Sequence, residues 1–93
     1  MFIGTLEFKL YASWVNSLKG KRMELQRLIS KVKNKFNVSI AEVQMQDNHK
    51  IIVIGMAVVT NDSSHLDSIL DNIISFVEEN TEARILSIER EFR

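Results

Sequence analysis

The chain has 93 residues, of which 45% are hydrophobic and 26% are charged, and its formal net charge is zero. This length fits a single domain, residues 1–93, with one core, and the composition is typical of a folded globular protein. The chain contains no cysteine, which excludes disulfides, thiolate nucleophiles and cysteine-based metal sites, and fits a reducing cytosol.

Targeting and membrane signals are not indicated by the sequence. Residues 1–7 contain neither a basic segment nor a small-residue cleavage site, as a signal peptide would. The longest apolar run, residues 51–59, is less than half of the ~20 residues that span a membrane. We therefore expect a cytoplasmic protein without membrane association.

Charge is distributed unevenly along the chain. Residues 1–46 contain eight Lys/Arg and three Asp/Glu, a net charge of +5, whereas residues 47–93 contain four and nine, a net charge of −5. The positive charge is concentrated between Lys19 and Lys35. Such a one-sided basic segment is a candidate for binding a polyanion.

The first predicted elements are a strand and a basic helix. Apolar and other residues alternate through Phe2–Tyr11, which predicts a strand with one buried face. Ser17 is the expected N-cap of the helix that follows, and Asn37 is expected to end it. The apolar stripe of this helix is narrow. It consists of Leu18, Leu25, Leu28, Ile29, Val32 and Phe36.

A hairpin is predicted next. The second strand, residues 38–45, changes its apolar phase after Ile40, which indicates a bulge or an edge position. Residues 46–50 form a polar turn. The third strand, Ile51–Thr60, is apolar on both faces, and a run of this kind is typical of a central strand.

A second helix and a last strand complete the pattern. Ser64 and Asp67 resemble a capping box, which places the helix start at Ser64. The helix has a wide apolar face and an acidic polar face, and Arg84–Phe92 then alternates as a strand. The resulting order, β-α-β-β-α-β, predicts an α+β ferredoxin-like fold: a four-stranded antiparallel sheet with the first and third strands central, both helices on one face, and the other face open.

Three cations at the start of the first helix form the first candidate site. Lys19, Lys21 and Arg22 lie where the helix dipole is already positive, so they do not stabilise the helix. Together with free backbone amides they are suited to hold a phosphate or carboxylate. Lys21 does not belong to a P-loop, because the upstream glycine and the following Ser/Thr are missing. The alternative is a solvated basic helix start.

The second candidate site is the basic helix itself. Arg27, Lys31 and Lys35 are spaced i, i+4, i+8 and line one flank, and Arg22 and Lys33 lie on the other. A basic helix surface of this kind is expected to contact nucleic-acid phosphates. The mechanism of the RNA-recognition motif is not expected, because the third strand has no aromatic residue for stacking. The alternative is a solvated surface that the acidic second helix partly neutralises.

The open sheet face is the third candidate. We expect it to carry Ile52, Ile54, Met56 and Val58, or the residues that alternate with them in the third strand. A contiguous apolar patch of this kind usually marks an interface, so a homodimer is expected. The alternative is that loops and Trp14 cover the patch.

No residue pattern points to catalysis, to a metal or to a cofactor. The two histidines, His49 and His65, lie in or beside predicted turns, where a structural role is commoner than ligation or proton transfer. No carboxylate pair or Ser/His/Asp set has a spacing suited to catalysis. We therefore expect a binding protein and not an enzyme.

Several segments resemble the YlxP-like family of small bacterial proteins of unknown function. The resemblance covers nearly the whole chain. The segments are SLKGKR at residues 17–22, FNVSIAEV at 36–43, QD at 46–47, ND at 61–62 with SHL at 64–66, and ER at 89–90. The chain departs from the family pattern at Gly20, where Asp is common, and at His49 and Lys50, where a Trp often follows Gln-Asp.

The resemblance implies a ferredoxin-like fold and a bacterial cytoplasmic protein. Family members are often encoded near translation-initiation and ribosome-maturation genes, which implies RNA or the ribosome as partner. The family has no settled activity, so the resemblance assigns no catalytic residue. Three functions remain open: an RNA- or ribosome-associated binding module, a homodimeric interaction module, and a small-anion-binding protein.

Overall fold

The computed structural model describes residues 1–93 and contains six main elements. They are β1 (Phe2–Tyr11), α1 (Leu18–Lys35), β2 (Ser39–Gln44), β3 (Ile51–Thr60), α2 (Leu66–Asn80) and β4 (Arg84–Phe92). The order β-α-β-β-α-β confirms the prediction.

The four strands form one antiparallel sheet in the order β2-β3-β1-β4. β1 and β3 are the central strands, as predicted, and pair along their whole length, from Phe2 opposite Thr60 to Tyr11 opposite Ile51. This arrangement is the ferredoxin-like fold. The predicted bulge in β2 is confirmed, because the register with β3 shifts between Glu42 and Gln44.

The core lies between the sheet and the two helices. Leu6, Phe8 and Leu10 of β1 point into it and are fully buried. The helices close the core with an apolar row each. The rows are Leu25, Leu28 and Val32 of α1, and Leu66, Leu70, Ile73 and Val77 of α2.

Of the two orientations that the sequence left open for β3, the one that exposes Ile52, Ile54, Met56 and Val58 is wrong. Ile52, Ile54, Met56 and Val58 belong to the core and are at most 4% exposed. They pair with the buried residues of β1, for example Ile54 with Phe8, and paired residues of an antiparallel sheet point to the same face. The four residues therefore cannot form an exposed interface. Their alternates in β3 lie on the open face.

The helix starts are confirmed in one case and corrected in the other. Ser17 caps α1, since its Oγ accepts a hydrogen bond from Gly20 N at 3.0 Å. α2 is preceded by a short 3₁₀ turn, Ser63–His65, whose cap is Asp62. Asp62 Oδ1 accepts hydrogen bonds from Ser64 N and Ser64 Oγ at 2.9 and 2.6 Å. Ser64 is therefore a partner of the cap and not the cap itself.

Candidate nucleic-acid interface

The two helices carry opposite charge and lie on the same face of the sheet. α1 contains seven Lys/Arg and one Glu, whereas α2 contains four Asp/Glu and no cation. The helical layer is therefore basic along one helix and acidic along the other. The positions of the individual α1 cations determine which part of this layer can attract a polyanion.

Lys21 points into the molecule and not to the surface. Its side chain is 2% exposed, and its Nζ donates hydrogen bonds to the carbonyls of Met45 at 2.7 Å and Asn48 at 2.6 Å. Its third neighbour is the buried Glu42 Oε2 at 2.7 Å, with which the ammonium forms an ion pair. Lys21 is therefore unavailable to an external anion, and the expectation of a surface role is wrong for this residue.

The backbone conformation of Met45, in the turn after β2, directs its carbonyl toward Lys21. Met45 is the only non-glycine residue with a positive φ, 58°, a conformation that costs most side chains energy. In this conformation its carbonyl accepts hydrogen bonds from both Lys21 Nζ and Asn48 N, the latter at 3.0 Å. These two bonds offset the backbone cost.

Lys50 has a similar structural role that the sequence pattern did not indicate. Its Nζ donates hydrogen bonds to the carbonyls of Ser13 and Val15, both at 2.8 Å. Lys21 thus fixes the hairpin turn, and Lys50 fixes the loop between β1 and α1. One signal was available for Lys21, because residue 21 falls on the same helical stripe as Leu25, Leu28 and Val32.

The start of α1 retains only part of the predicted anion site. Ser17 already accepts the Gly20 amide proton through its side chain and the Lys21 amide proton through its carbonyl, the latter at 3.1 Å. Lys19 and Arg22 are exposed. An anion at this helix start would therefore rely on these two side chains.

Arg27, Lys31 and Lys35 form the flank of α1 that faces α2, here called the inner flank. Arg27 Nη2 donates a hydrogen bond to the Asn80 carbonyl at 3.1 Å, and its guanidinium pairs with Glu24. The guanidinium also donates hydrogen bonds to the Glu24 carboxylate, and these raise the pKa of Arg27 above its ordinary value. Lys35 Nζ lies 5.7 Å from the centre of the Phe76 ring of α2. Much of the inner flank therefore serves contacts between the helices.

Lys19, Arg22 and Lys33 form the opposite, outer flank. At about 100° per residue they lie within about 60° of one another on the helix surface, on the side away from α2. All three are exposed, and none forms an ion pair with a carboxylate. Lys31 and Lys35 are also exposed and without an ion pair, but they lie on the flank that faces the acidic α2.

The open sheet face is unsuited to nucleic acid. Glu7 of β1 lies directly opposite Glu89 of β4 on this face, and Glu91 is next to them. Tyr11 is the only aromatic residue there, and the Arg84 guanidinium lies 5.9 Å from the centre of its ring. The face therefore lacks the aromatic platform that RNA-binding sheets use, and its cations, Lys9, Arg84 and Arg93, are balanced by the three glutamates.

The open face also carries less exposed apolar surface than expected. Val43, the bulged residue of β2, covers the middle of β3: a Cβ at Gly55 would lie 2.9 Å from Val43 Cγ1. Val59 is 62% exposed and Val43 is 43% exposed. The apolar surface on this face is therefore confined to a few residues near β2 and the end of β3.

The structure contains no group of three or more His, Cys, Asp or Glu side chains placed to hold a metal ion. His65 Nε2 lies 3.3 Å from Oδ2 of Asp62, the cap of the 3₁₀ turn before α2. No helix is long and apolar enough to cross a membrane.

Comparison with known proteins identifies relatives without a known activity. Residues 3–90 match the family model described as "Protein of unknown function (DUF503)". The chain is similar to "Uncharacterized protein YlxP" of Bacillus subtilis (strain 168), with 34% identity over 76 residues, which are 82% of this chain and 83% of the relative. The resemblance inferred from the short segments is thereby confirmed.

Proposed function

The chain belongs to the DUF503 family of proteins of unknown function, and we propose that it is an RNA-binding module that contacts phosphates through the outer flank of α1. The observation that carries the proposal is that Lys19, Arg22 and Lys33 are exposed, have no carboxylate partner and lie on the side of α1 away from the acidic α2. Unpaired cations favour binding to a polyanion, because each cation that neutralises a phosphate releases a counterion condensed on the nucleic acid.

The length of the flank supports contact with several phosphates. Lys19 and Lys33 are 14 residues apart, which corresponds to about 21 Å along a helix. A single-stranded RNA along this flank would place several phosphates within that length, and three of them would face cations. The acidic residues of α2 oppose binding on the other side of α1, so the strand is expected to follow the outer flank.

We propose that the protein is non-enzymatic and acts in the bacterial cytoplasm. Its proposed ligands include ribosomal RNA. The absence of cysteine and the bacterial relative support this setting. Pull-down from a bacterial lysate with and without ribonuclease tests the partner class. Capture of RNA or ribosomes that is lost after ribonuclease treatment supports the proposal, whereas capture that withstands ribonuclease contradicts it.

Salt dependence provides the direct test of the phosphate contacts. For three contacts with a single strand, the slope of log affinity against log salt is about −2, so raising salt from about 50 to about 200 mM weakens binding about 20-fold. Fluorescence anisotropy of a labelled single-stranded RNA measures this slope. An affinity that does not change with salt would contradict the proposal.

A homodimer through the open sheet face is the second candidate, favoured by one observation. Val59, an apolar β3 residue, is 62% exposed beside Ile3 on that face. In a symmetric dimer the same patch would be buried on both copies. Sedimentation at micromolar concentration tests it: a dimer that Val59→Glu dissociates supports this candidate, and a wild-type monomer contradicts it.

A further inference from the structure

Trp14 is the single tryptophan of the chain, and the fold displays it at the surface. It is 47% exposed, whereas Ala12 and Val15 of the same turn are 0% and 4% exposed. The turn thus buries its small apolar residues and leaves its largest one in contact with water. Tryptophan is enriched among the residues that dominate the binding energy of protein interfaces.

The backbone around Trp14 is held in place from two sides. Val15 N donates to the Ala12 carbonyl at 3.2 Å, and Ala12 N donates to the Lys50 carbonyl at 2.8 Å. Lys50 Nζ donates to the carbonyls of Ser13 and Val15, the two residues that flank Trp14. The ring is therefore presented on a fixed turn, so that ordering the loop costs a partner little entropy.

An apolar recess lies between Trp14 and the start of α1. Trp14 and Met23 are its exposed apolar walls, and Met23 is 67% exposed. Val15 and Gly20 also line the recess, and neither carries a polar side chain. The recess therefore offers contact area to an apolar side chain of a partner.

The cleft on the other side of Trp14 joins α1 to the end of α2. Its charged residues are Glu24, Arg27, Lys31, Glu79 and Glu82. Arg27 is already engaged, since it pairs with Glu24 and donates a hydrogen bond to the Asn80 carbonyl at 3.1 Å. Glu24 and Arg27 line both the recess and the cleft, so this pair forms a shared wall without net charge.

The unpaired charge in the cleft is predominantly negative. Glu79 and Glu82 are exposed and form no ion pair, and the one cation there without a carboxylate partner is Lys31. The C-terminal end of α2 adds the negative end of a helix dipole, and its last turn contains no basic residue to offset it. A cationic group of a partner is therefore attracted to this side of Trp14.

We propose that Trp14 is the docking site for a segment of another protein in which an apolar side chain is next to an arginine. The apolar side chain enters the recess between Trp14 and Met23, and the guanidinium stacks on the Trp14 ring and pairs with Glu79 or Glu82. Arginine suits this position because its guanidinium both stacks on aromatic faces and binds carboxylates in a bidentate manner. The inference goes beyond the proposed RNA binding and does not depend on it, because the cleft adjoins α2 and the outer flank lies on the side away from α2.

Because Trp14 is the only tryptophan, its own fluorescence reports the contact. The probe is a short peptide of alternating leucine and arginine, and the control is the same peptide with glutamate in place of arginine. The arginine peptide is expected to shift the Trp14 emission to shorter wavelength and to bind roughly tenfold or more tightly than the glutamate peptide. Anisotropy of labelled peptides measures binding independently. Equal affinities, absence of binding, or saturated binding without a change in emission would overturn the proposal and leave RNA binding by the outer flank intact.

Substitutions separate docking at Trp14 from unspecific attraction. Trp14→Ala is expected to weaken binding of the labelled arginine peptide roughly tenfold, and Glu79→Gln/Glu82→Gln roughly fivefold. Glu7→Gln/Glu89→Gln, which removes the same charge from the open sheet face, should leave the affinity unchanged. Thermal melting checks that each variant folds. Equal affinity of the wild-type and Trp14→Ala proteins, or equal losses in the two double variants, would contradict the proposal.

Other occupants of the recess give different results. Single-stranded RNA that quenches the Trp14 emission would assign the recess to nucleic acid. A wild-type dimer that Trp14→Ala dissociates, measured by sedimentation, would assign it to a second copy of this chain. Either result would contradict docking of a basic protein segment.

Discussion

Lys21 and Glu42 form an ion pair between α1 and β2, with Nζ 2.7 Å from Oε2 and side chains 2% and 19% exposed. The pair joins the basic helix to the edge strand of the sheet. It explains why a lysine in the most basic segment of the chain is not part of the surface that this segment presents.

Replacing Lys21 with Met should destabilise the fold. The change leaves Glu42 partly buried without its partner and removes a donor from the Met45 and Asn48 carbonyls, and losing one member of a buried pair costs about 3–5 kcal/mol. Urea denaturation measures the free energy of unfolding. The double variant Lys21→Met/Glu42→Leu should recover part of the loss. A Lys21→Met protein as stable as the wild type would contradict the buried role.

Replacing Lys50 with Met should loosen the turn that carries Trp14. The change removes two charge-assisted hydrogen bonds to the Ser13 and Val15 carbonyls, each worth about 1.5–3 kcal/mol. We expect lower stability and faster Trp14 motion, measured by urea denaturation and tryptophan anisotropy. Lys9→Met is the matched control, because the Lys9 side chain is exposed and forms no ion pair; its effect should be within about 0.5 kcal/mol. Equal effects of the two changes would refute the assigned role of Lys50.

The cap of the 3₁₀ turn that precedes α2 should lose strength in acid. Hydrogen bonds from the Ser64 side chain and backbone hold the pKa of Asp62 below its ordinary value of 3.8. A lowered folded-state pKa means that the contribution to stability is complete above about 3.8 and is lost as the pH falls through the folded-state value. NMR titration of the Asp62 carboxyl measures the shift, and Asp62→Asn, which keeps the acceptor oxygen, should remove this pH dependence. A titration midpoint at or above 3.8 would contradict the cap.

The two faces of β3 should respond differently to truncation. Ile54 is fully buried, so Ile54→Ala should cost about 2–5 kcal/mol in the free energy of unfolding. Val59 is 62% exposed, so Val59→Ala should cost about 0.5 kcal/mol or less in the monomer. Chemical denaturation of both variants checks the assignment. A larger loss for Val59→Ala would reverse the two faces.

The sequence predicted the strand order well because each segment carried a strong local signal. The alternation in β1 and the Ser17 cap were sufficient to place the first two elements. The facing of β3 was not predictable, since both of its faces are apolar and periodicity then gives no direction. Only the pairing of Ile54 with Phe8 decides it.

The candidate site was predicted as a segment but not residue by residue. The charge pattern located the basic helix, yet it could not separate cations that bind carbonyls, such as Lys21, from cations that face water, such as Lys19. That difference depends on long-range partners, which the Met45 and Asn48 carbonyls supply from the hairpin. The position of Trp14 beside α1 likewise depends on the turn fixed by Lys50.

The central claim is that the outer flank of α1 binds RNA, and a charge-reversal comparison tests it most directly. Lys19→Glu/Arg22→Glu/Lys33→Glu reverses the flank, and Lys9→Glu/Arg84→Glu/Arg93→Glu makes the same change in net charge on the open sheet face. The affinity of each variant for labelled single-stranded RNA is measured by anisotropy at low salt, with melting curves to verify folding. The account predicts that the α1 variant loses detectable binding and the sheet-face variant keeps most of it. Equal losses in the two variants, or retained binding by the α1 variant, would contradict it.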